Sequence, residues 1–528
     1  MILLAQHALP QALQGNKQVA KALKKIEAPD LKAHIQYLAD DKLQGRQPGT
    51  PGYQLAVNYV AKQFRKLGVQ PAGEDNTYLQ TVKLRKAITD NNATLRSKDS
   101  STLTYGQEFI ILPNPAEAQV TVEAPLVFAG YGISAPELGY DDYERLDAKG
   151  KIVLVMRGAP ASFSSSLAAS SKDMLTILKT AAAHGAVGVL VGSTNPGVGL
   201  PDLEHGIYSV LTPAGEVAVS GYYTSAQVKL LAMVTNEVFV QYLRQAGLEL
   251  DKVTASLKSG VPASIPLPVT LSATYHSRYT DIESYNLVGK IEGADPQLQQ
   301  EYVVHSAHLD HLGIGKPVNG DSIYNGAHDN ASGVASLLEI AKAYTSLKQK
   351  PKRSILLLLV TGEEMGLLGS AYFNSHPTVP LHNIVADINT DMPTIIAPLL
   401  SVVPLGADHS SLAEQVQQAA GYLGLDIEAD PEPEQNRFVR SDQYSFIKQG
   451  IPALHIKYGN KTADGRNNLD ALVKEWRATY YHKPQDDIKG LFDFNAGKKY
   501  AQLNFLIGYL VAQQPERPTW NKGDVFSK

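Results

Sequence analysis

The chain has 528 residues, 44% of them apolar and 19% charged, with a net charge of −4 and no cysteine. That length supports two or three domains around a large core, and the mild negative balance without a Lys/Arg-rich tract argues against nucleic acid as a partner. No disulfide can staple the fold, and any bound metal must take nitrogen and oxygen ligands.

The start, Met1-Ile-Leu-Leu-Ala-Gln6, is a short apolar stretch without a basic flank. It reads either as a frayed terminus of a cytoplasmic protein or as the tail of a signal peptide whose beginning is missing. The second reading makes the protein exported, to the periplasm or the medium. No apolar run approaches the roughly 18–20 residues that cross a bilayer, so no transmembrane segment is expected.

Residues 1–91 open with helical pattern. Asp30 caps a helix whose apolar positions are Leu31, Ile35 and Leu38. Residues 45–52 are turn chemistry. Ala56, Val60, Phe64 and Leu67 then repeat at helical spacing until Gly68 closes the helix. Thr77 to Leu84 alternates like a strand.

Residues 92–270 have another texture, with short β-like pieces at 125–129, 151–156 and 186–191 and one helix near Met174–Ala182. Ser162 to Ser171 is Ser/Ala-rich and reads as a mobile loop. No His clusters with carboxylates here, which marks a separate β-rich module.

From 271 to 528 strands and helices alternate, with strands at 301–306, 353–360, 383–389 and 451–456 and a helix at 332–347. This predicts an α/β fold, a mainly parallel central sheet flanked by helices, into which the β-rich module is inserted. Asp426 to Asn436 reads as an exposed acidic loop.

The chemistry gathers at the ends of those strands, where ligands collect in open α/β sheets. His308 and Asp310 follow the first strand, and Asp329 immediately precedes the helix. Glu363 and Glu364 follow the strand at 353–360, Asp391 follows the next, and His482 lies in a loop stiffened by Pro484. Five carboxylates at one sheet rim repel one another unless something positive sits among them. Two divalent cations would offset three ligating carboxylates and a hydroxide. Two neutral imidazoles beside carboxylates suit zinc better than calcium or magnesium, although manganese or cobalt also fits. The set points to a hydrolase. His305 and His311 flank the site in a structural or supporting capacity.

At these residues the chain resembles the M28 family of zinc metallopeptidases, in particular bacterial aminopeptidase-like members with a protease-associated (PA) domain insertion. The stretches that carry the resemblance are 307–313, 325–333, 361–370, 389–392, 440–446 with 450–453, and 481–487. Residues 43–52 look like the family's N-terminal signature, and 128–133 resemble PA-domain sequence. The resemblance makes 1–91 and 271–528 the two parts of a zinc-peptidase, phosphorylase/hydrolase-like domain and 92–270 the PA-like insertion. It implies two zinc ions per chain: His308 and Asp391 on one, Glu364 and His482 on the other, and Asp329 bridging both. It further implies Glu363 as general base and Asp310 behind His308, fixing its tautomer. Three positions depart from the family pattern: His328, where Asp is common, Thr390 before Asp391, and Gln443, where His is frequent.

The expected activity is that of a dizinc aminopeptidase, releasing N-terminal residues of a peptide substrate through a metal-bridged hydroxide. The alternatives are a carboxypeptidase or other dizinc amide hydrolase, with Arg437, Arg440 and Lys457 holding a substrate carboxylate, and a non-catalytic receptor on a peptidase scaffold. A receptor should have lost Glu363 or a ligand, and this chain keeps them all. The PA-like module reads as a lid, a length filter, a partner surface or a passive insertion. The loop from Tyr458 to Arg477 is a second candidate cover.

Overall fold

The computed structural model describes residues 13, 15–97 and 102–527. The apolar start from Met1 to Gln6, and with it the signal-peptide expectation, lies outside the described residues. The chain forms two compact units. One comprises residues 1–82, 284–433 and 440–528, and the other residues 83–283 and 434–439.

In the first unit, a parallel core of four strands is built on continuous apolar runs. Tyr302–His308 pairs in parallel with Ser354–Val360 on one side and with Ile384–Asn389 on the other. Ile384–Asn389 then pairs in parallel with Ala453–Tyr458. Every residue of Tyr302–His308 and Ser354–Val360 is buried, the pattern of strands covered on both faces. Antiparallel neighbours flank this core: residues 287–291 against Ser354–Val360, and Ser401–Leu405 against Ala453–Tyr458. Helices Ala28–Leu38, Pro51–Leu67, Ser332–Ser346 and Phe494–Gln513 supply the cover, through Leu31, Ile35, Val60, Phe64, Leu337, Phe505 and Ile507 in one continuous apolar cluster.

Local chemistry explains the helix bounds, and corrects one of them. Thr50 Oγ1 accepts the Tyr53 N–H, Pro51 opens the helix, and Gly68 at φ 73° ends it. The helix expected to be capped by Asp30 begins earlier, at Ala28 with Glu27 in the cap position. Asp30 sits in the first turn instead, where its carboxylate meets the Lys342 ammonium at 2.5 Å.

The second unit holds a parallel run of strands in the order Gln119–Phe128, Ile152–Met156, Gly188–Gly192, Leu230–Val234, with Phe109–Ile111 antiparallel at its end. It is less purely β than its sequence texture implied, for Asn236–Gln245 and Leu250–Lys258 are helices as well as Met174–Ala183. The Ser/Ala-rich stretch read as a mobile loop contains the helix Ser165–Lys172, with the Ser164 hydroxyl accepting the Leu167 N–H. Serine is a good helix start and Leu, Ala and Lys are good interior residues, so a low-complexity appearance concealed a capped helix. Asp142 anchors the 130–133 turn of this unit by accepting the N–H groups of Tyr131 and Ile133 and the Tyr140 hydroxyl.

Among the described residues, no helix is long and apolar enough to cross a membrane.

Candidate metal centre

Strand ends and helix ends of the first unit bring the candidate site residues to one place. His308 is the last residue of its strand, and Asp391 lies two residues beyond Asn389. Asp329 stands in the irregular 327–331 turn that leads into helix Ser332–Ser346. His482 follows helix Leu469–Tyr480 at φ 54°.

Asp329 is the pivot. Its Oδ1 lies 3.2 Å from His308 Nε2 and its Oδ2 lies 3.2 Å from His482 Nε2. His308 Nε2 is also 3.4 Å from Asp391 Oδ1, and His482 Nε2 is 3.3 Å from Glu364 Oε2. Two ligand triads emerge, each with one ligand atom per residue close enough to hold a cation: His308, Asp329 and Asp391, and His311, Asp329 and Glu364. His311, expected only to flank the site, places its Nδ1 2.6 Å from Glu364 Oε1. Its position one residue after Asp310 was the available signal, but a histidine in a loop is ordinary until its ring direction is known.

Asp310 is fully buried, and its function differs in detail from the expectation. Its backbone carbonyl, not its carboxylate, faces His308 Nδ1 at hydrogen-bond distance (3.1 Å), while the carboxylate oxygen is 3.9 Å away. The carboxylate instead accepts the Glu363 and Glu364 N–H groups at 3.2 and 3.4 Å, and so shapes the Glu-Glu turn. The histidine is still oriented by the residue two places on, through the main chain.

Asp486, not singled out from sequence, does comparable work for the other loop. Its buried carboxylate accepts the His328 and Asp329 N–H groups at 2.9 and 3.0 Å, and its carbonyl accepts from Ala327 N. The loop bearing His482 is thereby tied to the backbone of Asp329.

The three departures from the family pattern are accommodated without loss of a candidate ligand. His328 stacks on Phe492 with centroids 4.0 Å apart and meets Trp476 edge-on, and burial lowers its pKa to about 4, so it is neutral. Thr390 contributes its carbonyl, which accepts from the Asn330 amide. Gln443 Oε1 accepts from Asn389 Nδ2 beneath the rim.

The electrostatics match a site made for positive charge. Burial alone would raise the pKa of Asp329, but the bonds to His308 and His482 outweigh it and hold that carboxyl well below its usual range. Asp391 is held low in the same way, by His308 and the nearby Lys457. Burial pushes Glu363 well above the usual range, and the neighbouring Asp391, Asp442 and Glu364 charges add to the push against the relief from His308. Carboxylates that draw protons onto imidazoles are carboxylates short of cations. The donor set, imidazole nitrogens with carboxylate oxygens at the end of a parallel sheet, fits zinc.

Lys457, one of the cations of the carboxypeptidase alternative, donates to the Asp391 and Met392 carbonyls at 3.0 and 3.4 Å. Arg437 belongs to the second compact unit. The segment from Tyr458 to Arg477 is only partly loop: Leu469 to Tyr480 is a helix that buries Leu469, Val473 and Trp476 against Met392 and Ile396.

Residues 286–504 match peptidase family M28, and residues 122–226 match the PA domain. The chain is similar to a probable leucine aminopeptidase 2 of Aspergillus oryzae, 24% identical over 460 residues, covering 84% of this chain and 75% of that protein. It is also similar to a probable zinc metalloprotease of Pyrenophora tritici-repentis, 26% identical over 311 residues, and there it spans 53% of this chain and only 59% of the relative. Among solved structures, an aminopeptidase from Aneurinibacillus sp. strain AM-1 has a TM-score of 0.51 at 18% identity, over 94% of this chain and 97% of that one, which is a likeness of fold. The M28 match contains every candidate site residue from His308 to His482 and the PA match falls inside the second unit, so the chain carries an M28 peptidase region and a PA domain.

Proposed function

We propose that the protein is a two-zinc aminopeptidase that releases N-terminal residues from peptides. The observation that carries this reading is the split of Asp329, whose two carboxylate oxygens face histidines from two separate segments, as a bridging ligand requires. In the proposal His308 and Asp391 complete one ion's ligands, Glu364 and His482 complete the other's, and His311 orients Glu364. When bound, the zinc pair supplies Lewis acidity toward the scissile carbonyl and makes a water acidic near neutral pH.

Glu363 is the residue left over for proton transfer. Its neighbour Glu364 is engaged by His311 and His482, and its own backbone is fixed by Asp310. A carboxylate free of the ligand contacts suits a base that must accept a proton from water and return it to the leaving amine. The surrounding acidic groups also suit a protonated substrate amine, which favours attack from the N-terminus.

A free-amine peptide library digested with and without a chelator, its products read by mass spectrometry, tests this reading. Stepwise loss of N-terminal residues that stops on chelation and resumes with zinc is expected. Cleavage confined to C-terminal residues, or undiminished by chelation, would overturn it.

A further inference from the structure

The most heavily bonded side chain near the candidate centre is not one of its ligands. Arg46 is 1% exposed. Its Nε donates to the Leu309 carbonyl at 3.0 Å, Nη1 to the Leu38 and Asn325 carbonyls at 2.6 Å each, and Nη2 to the Gly326 carbonyl at 3.0 Å. The Arg46 carbonyl in turn lies 3.3 Å from the His311 N–H. One guanidinium therefore joins three places: the end of helix Ala28–Leu38, the peptide between His308 and Asp310, and the turn three to four residues before Asp329.

A buried arginine bonded only to neutral carbonyls is expensive in isolation. Burial lowers its pKa to about 10, and the charges that resist that drop belong to Asp310, Asp329, Asp486 and Glu364. It therefore stays charged at neutral pH.

The rest of the segment is shaped for the same contact. Gly45 has φ 67°, and a Cβ there would stand 2.4 Å from the Tyr324 carbonyl oxygen and 2.6 Å from that of Gly313. Only glycine permits that approach. Asn325 closes the clasp from the other side, donating to the Ala39 carbonyl at 2.9 Å and to Asp41 Oδ1 at 2.8 Å.

We infer that Arg46 is a positioning residue of the metal centre, a clamp that sets the His308–His311 and Asn325–Asp329 loops at the spacing both cations need. It touches neither cation nor substrate in this scheme. The planar five-donor fork is what the task demands, because three separate backbone segments must be met at once in fixed directions. Lysine would preserve the charge and lose the directions. Charge and clamp also act oppositely on the metals: a nearby positive charge repels cations, so a purely electrostatic Arg46 would weaken zinc binding, whereas a clamp strengthens it.

This inference rests on the two-zinc reading, and the experiment separates the two. The wild-type protein, Arg46→Lys and Arg46→Gln are loaded with zinc and titrated with a competing chelator, with zinc content read by elemental analysis and melting temperature recorded alongside. A wild type that holds no zinc defeats the two-zinc reading. If the wild type holds zinc, both variants are expected to bind it about tenfold more weakly, the loss typical of removing groups that orient metal ligands. Wild-type affinity in Arg46→Lys, tighter binding in Arg46→Gln, or a fall in melting temperature alone would overturn the clamp. Asp41→Ala, an exposed change at the far end of the same clasp, keeps the test decisive if neither arginine variant folds: weaker zinc binding than in the wild type is expected, and unchanged binding would overturn the proposal.

Discussion

Each unit of this protein buries carboxylates, and they serve opposite ends. In the PA-bearing unit, Asp142 meets three donors, the N–H groups of Tyr131 and Ile133 and the Tyr140 hydroxyl, and so folds a turn. In the peptidase unit, Asp329, Glu364 and Asp391 meet ring nitrogens that belong to separate segments. A carboxylate satisfied by its own backbone neighbourhood is structural. Carboxylates from separate segments that converge on imidazoles are the ones that need a cation. The partner set, more than the depth of burial, separates the two.

That contrast can be broken at its strongest point. Asp329→Ala should strip most zinc from the protein and lower peptidase turnover by roughly a thousandfold or more, because one side chain serves both candidate ions. Retained zinc at both positions would end the bridging assignment. Glu363→Gln should keep the metal and cut turnover by roughly a hundredfold or more. Near-normal turnover in that variant would remove Glu363 from the proton-transfer step.

The smallest expected effect sharpens the other side of the comparison. Burial raises the Asp142 pKa to about 7, against a usual value of 3.8, while the bonds from Ile133, Tyr140 and Tyr131 oppose the rise. The folded state therefore keeps a proton that the unfolded chain releases, and this group's contribution to stability declines as pH rises from about 4 to about 7. Asp142→Asn should flatten that part of the melting-temperature profile and leave zinc content unchanged. A profile as steep as the wild type's, or a loss of zinc, would show that Asp142 is not the isolated structural group described here.

How much of the site was legible in the chain depended on the range of the interaction. Runs such as Ser354–Val360 announce themselves, because a strand covered on both faces must be apolar at every position. The polar residues just after such runs are then placed at the sheet rim by connectivity alone. Asp329 and His482 stand instead beside helices; His308, Glu363, Glu364 and Asp391 follow that logic. Side-chain direction does not. Asp310 turned its carboxylate to the Glu-Glu turn, and His311 turned its ring to Glu364, because of contacts made across 53 positions of sequence. The same reason hid Asp486, whose partners at Ala327–Asp329 lie about 157 positions away. The helix Leu469–Tyr480 was obscured by the Gly- and Asn-containing loop before it, while its apolar face is explained only by Met392 and Ile396.

The alternating strand-helix order, the parallel sheet and the residue types available at its rim follow from local apolar periodicity and chain direction, and are readable in the amino-acid order. Which oxygen of Asp329 faces which histidine, and that Arg46 reaches both ligand loops, emerge with the folded molecule. Those outcomes depend on where separate segments come to rest against one another, and short-range pattern carries no record of that.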